Sequence, residues 1–333
     1  MDAILELLRT RQSFWLSGHE NPDGDCIGSQ IALYHLLRQL GKQVVILNPD
    51  PPAPSLDFVT QKTPFSAWSN GTAVPAAEVL VLLDCAWLTR LGPLTEVVRG
   101  KRPQVVAVLD HHVGSERGDG DVCYVDPIAP STGTLVYRLY RALGQALPLV
   151  AAEGVFLSLV SDTGWFRYSN TTAEVLATAA AMVEGGVDSA RMYDLIHRRN
   201  HPDCVPLLAQ GLLRQERSLD GRYAFSVLDR STMDHSKRVG FDSDGVMEPL
   251  RSVQGTEVVA LFKELSSSLV KLSLRAVNDI DVQAIAAEFG GGGHKKAAGA
   301  QLRFPLSEAI AQVRAKVERA LALALAESSP ELT

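Results

Sequence analysis

The stretch that decides how this chain is organised is His19-Glu20-Asn21-Pro22-Asp23-Gly24-Asp25-Cys26-Ile27-Gly28-Ser29-Gln30. An apolar run over residues 13–18 leads into it, and a helical pattern over residues 27–40 leads out. It therefore lies in a predicted strand-to-helix turn, where open α/β sheets bind their ligands. One imidazole and two carboxylates converge there, and like charges this close repel unless a cation lies between them. For either aspartate alone, an ordinary helix cap remains an alternative.

Composition limits what the protein can be. Its 333 residues favour two domains, and a hydrophobic content of 46% is enough for packed cores. The formal net charge of −6 argues against a long electrostatic track for duplex DNA or a membrane surface, but not against a short anionic substrate. The N-terminus lacks a basic region, and no apolar run reaches about eighteen residues, so we expect no signal peptide and no membrane span.

The cysteines indicate a reduced, cytoplasmic protein. Cys26, Cys85, Cys123 and Cys204 are scattered, without a C-x-x-C pair. We expect small, mostly buried thiols and no structural zinc site.

The first half of the chain predicts an α/β fold with a doubly wound, mainly parallel sheet. Continuous apolar runs are typical of strands buried on both faces, and here they alternate with helical patterns. Strands are predicted at residues 14–17, 44–47, 78–84 and 105–110, with an edge strand at 122–125. Helices are predicted at residues 2–11, 27–40, 131–143, 149–161, 172–184 and 189–199, and short irregular elements at 57–77.

The pattern changes after about residue 186. We predict a catalytic domain over residues 1–186, a helical connector over 187–220 and a smaller α/β domain over 221–333. In the smaller domain, strands are predicted at residues 223–228, 258–264, 269–276 and 301–304, and helices at 281–289 and 306–327.

Three predicted strands run into acidic or imidazole side chains. The first reaches His19, the third reaches Asp84 and the fourth reaches Asp110-His111-His112, while a helix brings Asp162. Each aspartate alone could simply cap the next helix, but the carboxyl ends of parallel strands share one edge, so these groups should gather in one crevice. So much negative charge calls for divalent cations, and carboxylates with imidazoles suit Mn²⁺ or Mg²⁺.

Two such ions with one bridging ligand are suited to phosphoryl chemistry, because together they stabilise both the attacking and the departing oxygen. The sequence contains neither a G-x-S-x-G elbow nor a G-x-x-x-x-G-K-[ST] phosphate loop. These features predict metal-assisted phosphoester hydrolysis.

At this point the sequence resembles a known family. His19-x3-Asp23-x-Asp25, Asp84, Asp110-His111-His112 and Asp162 resemble the four motifs of the DHH phosphoesterase superfamily. Residues 290–299, Gly-Gly-Gly-Gly-His-Lys-Lys-Ala-Ala-Gly, resemble the signature of its DHHA1 domain. The two-domain length is similar to that of the NrnA-type enzymes, which combine oligoribonuclease (nanoRNase) activity with removal of the 3′-phosphate from 3′-phosphoadenosine 5′-phosphate (pAp).

The resemblance implies two divalent cations per chain, most simply Mn²⁺ with Mg²⁺ as the alternative. It implies six metal ligands, which are His19, Asp23, Asp25, Asp84, His111 and Asp162. His19 and Asp23 would hold one ion, Asp25, His111 and Asp162 the other, and Asp84 would bridge. Asp110 would orient His111, and His112 would contact the scissile phosphate or assist the leaving oxygen. Spacing alone does not separate the roles of His111 and His112.

The substrate end of the site is expected in the second domain. Glycines at 290–293 offer backbone N–H groups to a phosphate. The resemblance implies that this segment, including Gly291, Gly292, Gly293 and His294, holds the terminal nucleotide. Arg275 resembles an arginine that binds a substrate phosphate, and Asn278 is a further candidate. A flexible turn and an exposed strand-end charge are the ordinary alternatives. An active site in the cleft between the domains would favour short nucleic-acid ends over long structured nucleic-acid strands.

The favoured hypothesis is a phosphodiesterase that degrades RNA fragments a few nucleotides long to mononucleotides and also dephosphorylates pAp. The runner-up is a hydrolase of linear or cyclic dinucleotides such as pApA or c-di-AMP. A family II pyrophosphatase would share only the first domain with this chain. A RecJ-like exonuclease, which acts on long strands, would need a longer chain and a basic surface along which the nucleic acid binds. A nucleotide-binding sensor with a vestigial site would have lost the carboxylates. A homodimer is compatible with the sequence, but no interface can be assigned.

Overall fold

The structure, a computed structural model, describes residues 1–70 and 72–328, and it does not describe the side chains of His294 and of residues 325–328. The chain divides into two compact units, unit 1 over Met1–Arg199 and unit 2 over Asn200–Thr333. The stretch expected to be a connector, residues 187–220, is divided between them.

Unit 1 is built on a parallel six-stranded sheet in the order β3-β2-β1-β4-β5-β6. Its strands are β1 (Ser13–Ser17), β2 (Gln43–Asn48), β3 (Phe65–Ala67), β4 (Val79–Leu83), β5 (Val105–Asp110) and β6 (Val122–Val125). The predicted parallel sheet is confirmed. Strand β3 was not predicted, because three residues of mixed polarity at a sheet edge carry no periodic signal.

Helices cover both faces of this sheet. They are α1 (Asp2–Thr10), α2 (Gly24–Gln39), α3 (Asp57–Thr60), α4 (Leu94–Gly100), α5 (Thr132–Ala142), α6 (Leu149–Asp162), α7 (Ala173–Glu184) and α8 (Ser189–His197). Helix α2 begins three residues before its predicted start. The reason is that the Asp23 carboxylate accepts hydrogen bonds from the backbone N–H groups of Asp25 and Cys26, which caps the helix.

Two apolar cores fill the spaces between helices and sheet. One includes residues of α1, α2, α5 and α6 with one face of the strands, and the other lies on the opposite face around Trp15 and α4. Helices α2 and α6 cross at close range. A Cβ added to Gly28 would stand 2.3 Å from the carbonyl oxygen of Gly154. This crossing matters for function because α2 carries Asp25 and α6 carries Asp162.

Unit 2 contains a second, mixed six-stranded sheet in the order β11-β12-β10-β9-β8-β7. Its strands are β7 (Glu216–Ser218), β8 (Tyr223–Leu228), β9 (Val258–Ser266), β10 (Leu269–Ala276), β11 (Gly292–His294) and β12 (Ala297–Leu302). Its helices are α9 (Cys204–Leu213), α10 (Arg230–Val239), α11 (Met247–Arg251), α12 (Val282–Ala287) and α13 (Leu306–Ser328). Helices α10 and α11 were not predicted, and β12 begins four residues before its predicted start.

The two faces of the second sheet are covered differently. On one face, β8, β9, β10 and β12 pack against α12 and α13. On the other, helices α10 and α11 contribute to a core over β8 and β9. The residues that line a shallow basin in unit 2 come from β10, β11 and β12 and the loops beside them.

Two further observations bear on the sequence predictions. Cys26, Cys85 and Cys204 are buried, Cys123 is half-buried, and all four are free thiols. Within the described part of the chain, no helix has both the length and the apolar character needed to cross a membrane.

The α2–α6 crossing yields a stability test. We expect Gly28→Val to lower the free energy of unfolding by roughly 1–3 kcal/mol, because the added methyl groups overpack a contact between two backbones. Denaturant unfolding followed by circular dichroism measures the change. Gly100→Ala is the control, since its added Cβ would meet no atom within 4 Å. Equal stability of the two variants would contradict the close crossing.

Candidate metal centre

Acidic and imidazole side chains meet at the carboxyl edge of the unit 1 sheet. His19 follows β1, Asp84 follows β4, and Asp110 ends β5 directly before His111 and His112. Helix α2 adds Asp23 and Asp25 at its start, and α6 adds Asp162 at its end.

Among the residues that the structure describes, three sets of side chains bring ligand atoms within 4.8 Å of one another. They are His19 with Asp23 and Asp84, Asp25 with His111 and Asp162, and Asp84 with His111 and His112. The first two sets contain all six side chains that the sequence nominated as metal ligands. None of the three sets contains a thiol, so the donors are those that suit a hard or borderline divalent cation.

Asp84 connects the sets. Its Oδ2 lies 3.4 Å from His19 Nε2, whereas its Oδ1 lies 3.7 Å from His111 Nε2 and 3.7 Å from His112 Nδ1. The side chain is only 4% exposed, and its backbone is left-handed, with φ at 60°. The two oxygens of one buried carboxylate therefore face two different groups of potential ligands.

The ring of His111 is oriented for a cation. Its Nδ1 donates to the carbonyl oxygen of Ala129 at 3.1 Å, so Nε2 is the nitrogen that carries the lone pair whenever the ring is neutral. Nε2 lies 2.9 Å from Asp162 Oδ2 and 3.5 Å from Asp25 Oδ2. By strict hydrogen-bond geometry this buried nitrogen has no partner among the described residues. A buried lone pair surrounded by carboxylates fits a metal ligand.

Asp25 is held by groups that the sequence analysis missed. It is fully buried, and its carboxylate accepts from the backbone N–H of Thr132 at 2.8 Å, the N–H of Gly133 at 3.2 Å and the Ser158 hydroxyl at 2.5 Å. Thr132 and Gly133 open α5, so the carboxylate lies at a helix N-terminus that favours negative charge. The start of α5 was predicted, but Asp25, whose carboxylate accepts its N–H groups, lies 107 residues earlier in the chain.

Asp110 differs from its expected role. It was expected to orient His111, but its Oδ1 bonds the Nδ1 of His112 at 2.7 Å. The same oxygen accepts the backbone N–H groups of His111 and His112, and Oδ2 accepts the hydroxyl of Ser115 at 2.5 Å. The Asp110 carboxylate therefore accepts hydrogen bonds from the turn that follows β5. The ring of His111 bonds the carbonyl oxygen of Ala129 instead. His112 is half exposed, and its Nε2 remains for another partner.

The crowded charges shift the pKa values of the cluster. Burial, together with the charge of Asp162, raises the pKa of Asp25 to about 7. Burial and the charges of Asp25 and Asp23 raise the pKa of Asp84 well above its usual range. Burial acts to lower the pKa of His111, but Asp162 and Asp25 outweigh it and raise that pKa to about 9. The cluster thus favours protons or cations over bare carboxylates.

In unit 2, the glycine segment and Arg275 line a common basin of about 730 Å³, with the exposed side chains of Lys271 and Arg303. The Arg275 guanidinium lies 3.4 Å from Asp244, whose carboxylate also accepts from the buried Lys263 ammonium at 2.6 Å. Positive groups therefore outnumber the single carboxylate in this basin. Asn278 does not line it, and its side chain bonds Glu257.

The glycine segment forms strand β11 rather than a free loop. A Cβ at Gly291 would lie 2.2 Å from the carbonyl oxygen of Gly299, and one at Gly293 would lie 2.5 Å from that of Ala297. These two glycines are therefore needed for close pairing with β12. Gly292 has open space on its Cβ side and lies at the surface. The side chain of His294 lies outside the described residues.

Comparison with known proteins agrees with this architecture. Residues 13–158 match the N-terminal domain model of the DHH family, and residues 236–323 match the DHHA1 domain model. The chain is 32% identical over 304 residues to the "bifunctional oligoribonuclease and PAP phosphatase NrnA" of Thermus thermophilus, which covers 91% of this chain and 88% of that protein.

Two further comparisons concern part of the chain or the fold alone. A "probable manganese-dependent inorganic pyrophosphatase" of Streptococcus mutans is 34% identical over 178 residues, 51% of this chain and 55% of its own length. The crystal structure of an "exopolyphosphatase-related protein" from Bacteroides fragilis superposes with a TM-score of 0.87 at 22% identity, covering 97% of this chain and 96% of that one. The last comparison supports the fold.

The pKa shifts predict how stability changes with pH in the presence of a chelator. A carboxyl group with a raised folded pKa loses stabilisation as pH rises from its unfolded pKa, about 4, to its folded pKa. Asp25 therefore destabilises the fold progressively up to a pH of about 7, and the stabilisation from protonated His111 is lost between about pH 6.5 and about pH 9. We expect the melting temperature with chelator to fall over this range, and Mn²⁺ to raise it more at high pH than at low pH.

Asp84→Asn tests the same cluster by calorimetry. Removing one buried charge should raise the melting temperature with chelator at alkaline pH and abolish the rise caused by Mn²⁺. Asp220→Asn is the matched control, because Asp220 also has a left-handed backbone, with φ at 53°, but is exposed and outside the cluster. An unchanged Mn²⁺ response in Asp84→Asn would rule out a cation at this carboxylate.

Proposed function

Since this chain belongs to the DHH family of phosphoesterases and carries a DHHA1 domain, we propose that it hydrolyses RNA fragments a few nucleotides long to mononucleotides and converts pAp to AMP. We propose two divalent cations per chain, preferably Mn²⁺, as the cofactor. Mixed carboxylate and imidazole donors favour Mn²⁺ over Mg²⁺, and the pyrophosphatase relative is named as manganese-dependent.

The observation that carries this proposal is the shared position of Asp84. Its two oxygens face His19 on one side and His111 on the other, as a ligand that bridges two ions must. His19 and Asp23 would complete one ion site, and Asp25, His111 and Asp162 the other. Two divalent ions at such a site polarise a phosphoryl oxygen and activate water.

The surrounding side chains have defined tasks in this proposal. Asp110 holds the Nδ1–H of His112, which leaves His112 Nε2 to hold a proton beside the departing oxygen. Thr132, Gly133 and Ser158 hold the Asp25 carboxylate in place, and the hydrogen bonds from Ser158 and Thr132 act against the rise in its pKa. In unit 2, Arg275 offers its planar fork to a substrate phosphate, with the backbone N–H of Gly292 on the same basin. Asn278 has less support, because it lies outside that basin.

The relatives favour an RNA and pAp substrate over the alternatives. The NrnA protein is similar along both units, whereas the pyrophosphatase matches only about half of the chain. A linear or cyclic dinucleotide hydrolase remains the second candidate, since a dinucleotide is the shortest case of the same substrate. A sensor with a vestigial site is disfavoured, because every carboxylate of the cluster is present.

Hydrolysis of a 5′-labelled RNA ladder tests the proposal. RNAs of two to twenty-four nucleotides, pAp, cyclic dinucleotides and pyrophosphate are compared with Mn²⁺ and with chelator. We expect fast, metal-dependent loss of the shortest RNAs and of pAp, and at least a hundredfold slower turnover in Asp84→Asn, because the bridging charge is lost. Asp220→Asn should match the wild type. Turnover of pyrophosphate alone, or indifference to RNA length, would contradict the substrate assignment.

Asp110→Asn separates orientation of His112 from metal binding. We expect kcat to fall about 10–100-fold, since such a supporting partner typically contributes that much. Because Asp110 is outside the two proposed ion sites, the Mn²⁺-dependent rise in melting temperature should persist. Loss of that rise would show that Asp110 serves the cations instead.

A further inference from the structure

Unit 1 contains a cleft that the metal cluster only partly explains. It has a volume of about 620 Å³, within the usual range for ligand sites. Asp23 and Asp162 of the cluster form part of its wall, and aromatic side chains form much of the rest. We call it the aromatic cleft and define it by Trp165, Tyr168, Tyr193 and His197 together with those two acids.

The aromatic wall is built on two segments. Tyr193 and His197 lie one turn apart on α8, with ring centroids 4.7 Å apart. Trp165 meets Tyr193 edge-to-face at 5.0 Å and His197 at 5.6 Å, and it rests on Phe156 of the core. Tyr193 is nevertheless 39% exposed, and Tyr168 is 47% exposed. Large rings at the surface beside a cluster of acids are poorly explained by core packing.

The backbone is strained to place these rings. Gly164, Trp165 and Phe166 have consecutive φ values of 54°, 58° and 65°. For bulky residues this left-handed conformation costs about 1–3 kcal/mol each, and such strain is found mainly at functional sites. The Thr163 hydroxyl accepts the N–H of Phe166, and the Trp165 N–H donates to Val160, which holds the turn in place. The strained turn directly follows Asp162.

Positive charge accompanies the rings. The Arg167 guanidinium lies 5.9 Å from the ring centroid of Tyr168, and that of Arg198, which is paired with Asp194 at 3.0 Å, lies 5.8 Å from the ring of Tyr193. Arg167 also lines the cleft. Exposed aromatic faces next to arginines are the usual means of holding a nucleobase and its phosphodiester without sequence readout.

We propose that the aromatic cleft is a base subsite, in which Tyr193 and Tyr168 stack the nucleobase of a nucleotide attached to the scissile phosphate. This inference rests on the proposed function and extends it, because it adds a base-binding surface to unit 1 itself. It makes the two tyrosines base-binding residues. Stacking accepts any base, with purines preferred for their larger area.

The test combines a change in the protein with a change in the substrate. Wild type, Tyr193→Leu and Tyr193→Phe are assayed with pApA and with two dinucleotides in which either the first or the second residue is abasic. In the wild type, loss of the base at one position should raise KM about tenfold, within the range for one stacked base. In Tyr193→Leu, KM for pApA should rise, and loss of that base should then raise KM less than it does in the wild type, because only Tyr168 is left to stack it. Tyr193→Phe keeps the ring and should resemble the wild type.

A second variant and a binding measurement separate loss of base stacking from misfolding and from loss of turnover. Tyr168→Leu should show the same loss of base dependence, and unchanged melting temperatures would exclude misfolding. Quenching of Trp165 fluorescence by pApA in chelator, compared with Trp165→Phe, reports occupancy of the cleft without turnover. The base subsite is contradicted if, in both leucine variants, the rise in KM from losing the tyrosine ring and the rise in KM from losing the base simply add. If the wild type hydrolyses no dinucleotide but shows base-dependent quenching, the proposed reaction fails and the base subsite stands.

Discussion

Repulsion among buried carboxylates is the constraint on which unit 1 depends. Asp25 and Asp84 lie out of contact with water, and Asp162 and Asp110 lie close by. A buried carboxylate is tolerated only if neighbouring groups supply positive charge or hydrogen-bond donors to it. The N-terminus of α5 supplies two N–H groups to Asp25, the start of α2 supplies two to Asp23, and the turn after β5 supplies donors to Asp110. Asp84 accepts the Thr132 hydroxyl and lies beside three imidazoles, so it is where a cation has most to compensate.

The two units divide the proposed chemistry between them. The first holds groups that suit divalent ions, and strand ends and helix termini position them. The second offers a shallow basin with Lys271, Arg275 and Arg303 around a glycine-rich strand. The pyrophosphatase relative is similar over only about half of this chain.

Sequence reasoning located most of the sheet and the cluster, because strand ends in a parallel sheet must share an edge. It missed β3 and α10, where short length or mixed polarity leaves no periodic signal. The role expected for Asp110 was wrong in one respect. Two neighbouring histidines in a turn can both reach its carboxylate, and the sequence does not show which one does. In the structure the ring of His112 bonds Asp110, and the ring of His111 bonds the carbonyl oxygen of Ala129. Ser158 was invisible for another reason. Its link to Asp25 spans 133 residues, and no local pattern encodes such a contact.

The distribution of the cluster along the chain affects its biosynthesis. Its first member is His19 and its last is Asp162, which lies 143 positions later in the chain. At a translation rate of about 5–20 residues per second, the last carboxylate leaves the ribosome roughly 7–30 s after the first. The complete site therefore becomes available only when most of unit 1 has been made. All six strands of the unit 1 sheet precede Asp162 in the chain, so metal ions would stabilise a unit whose sheet residues are already present.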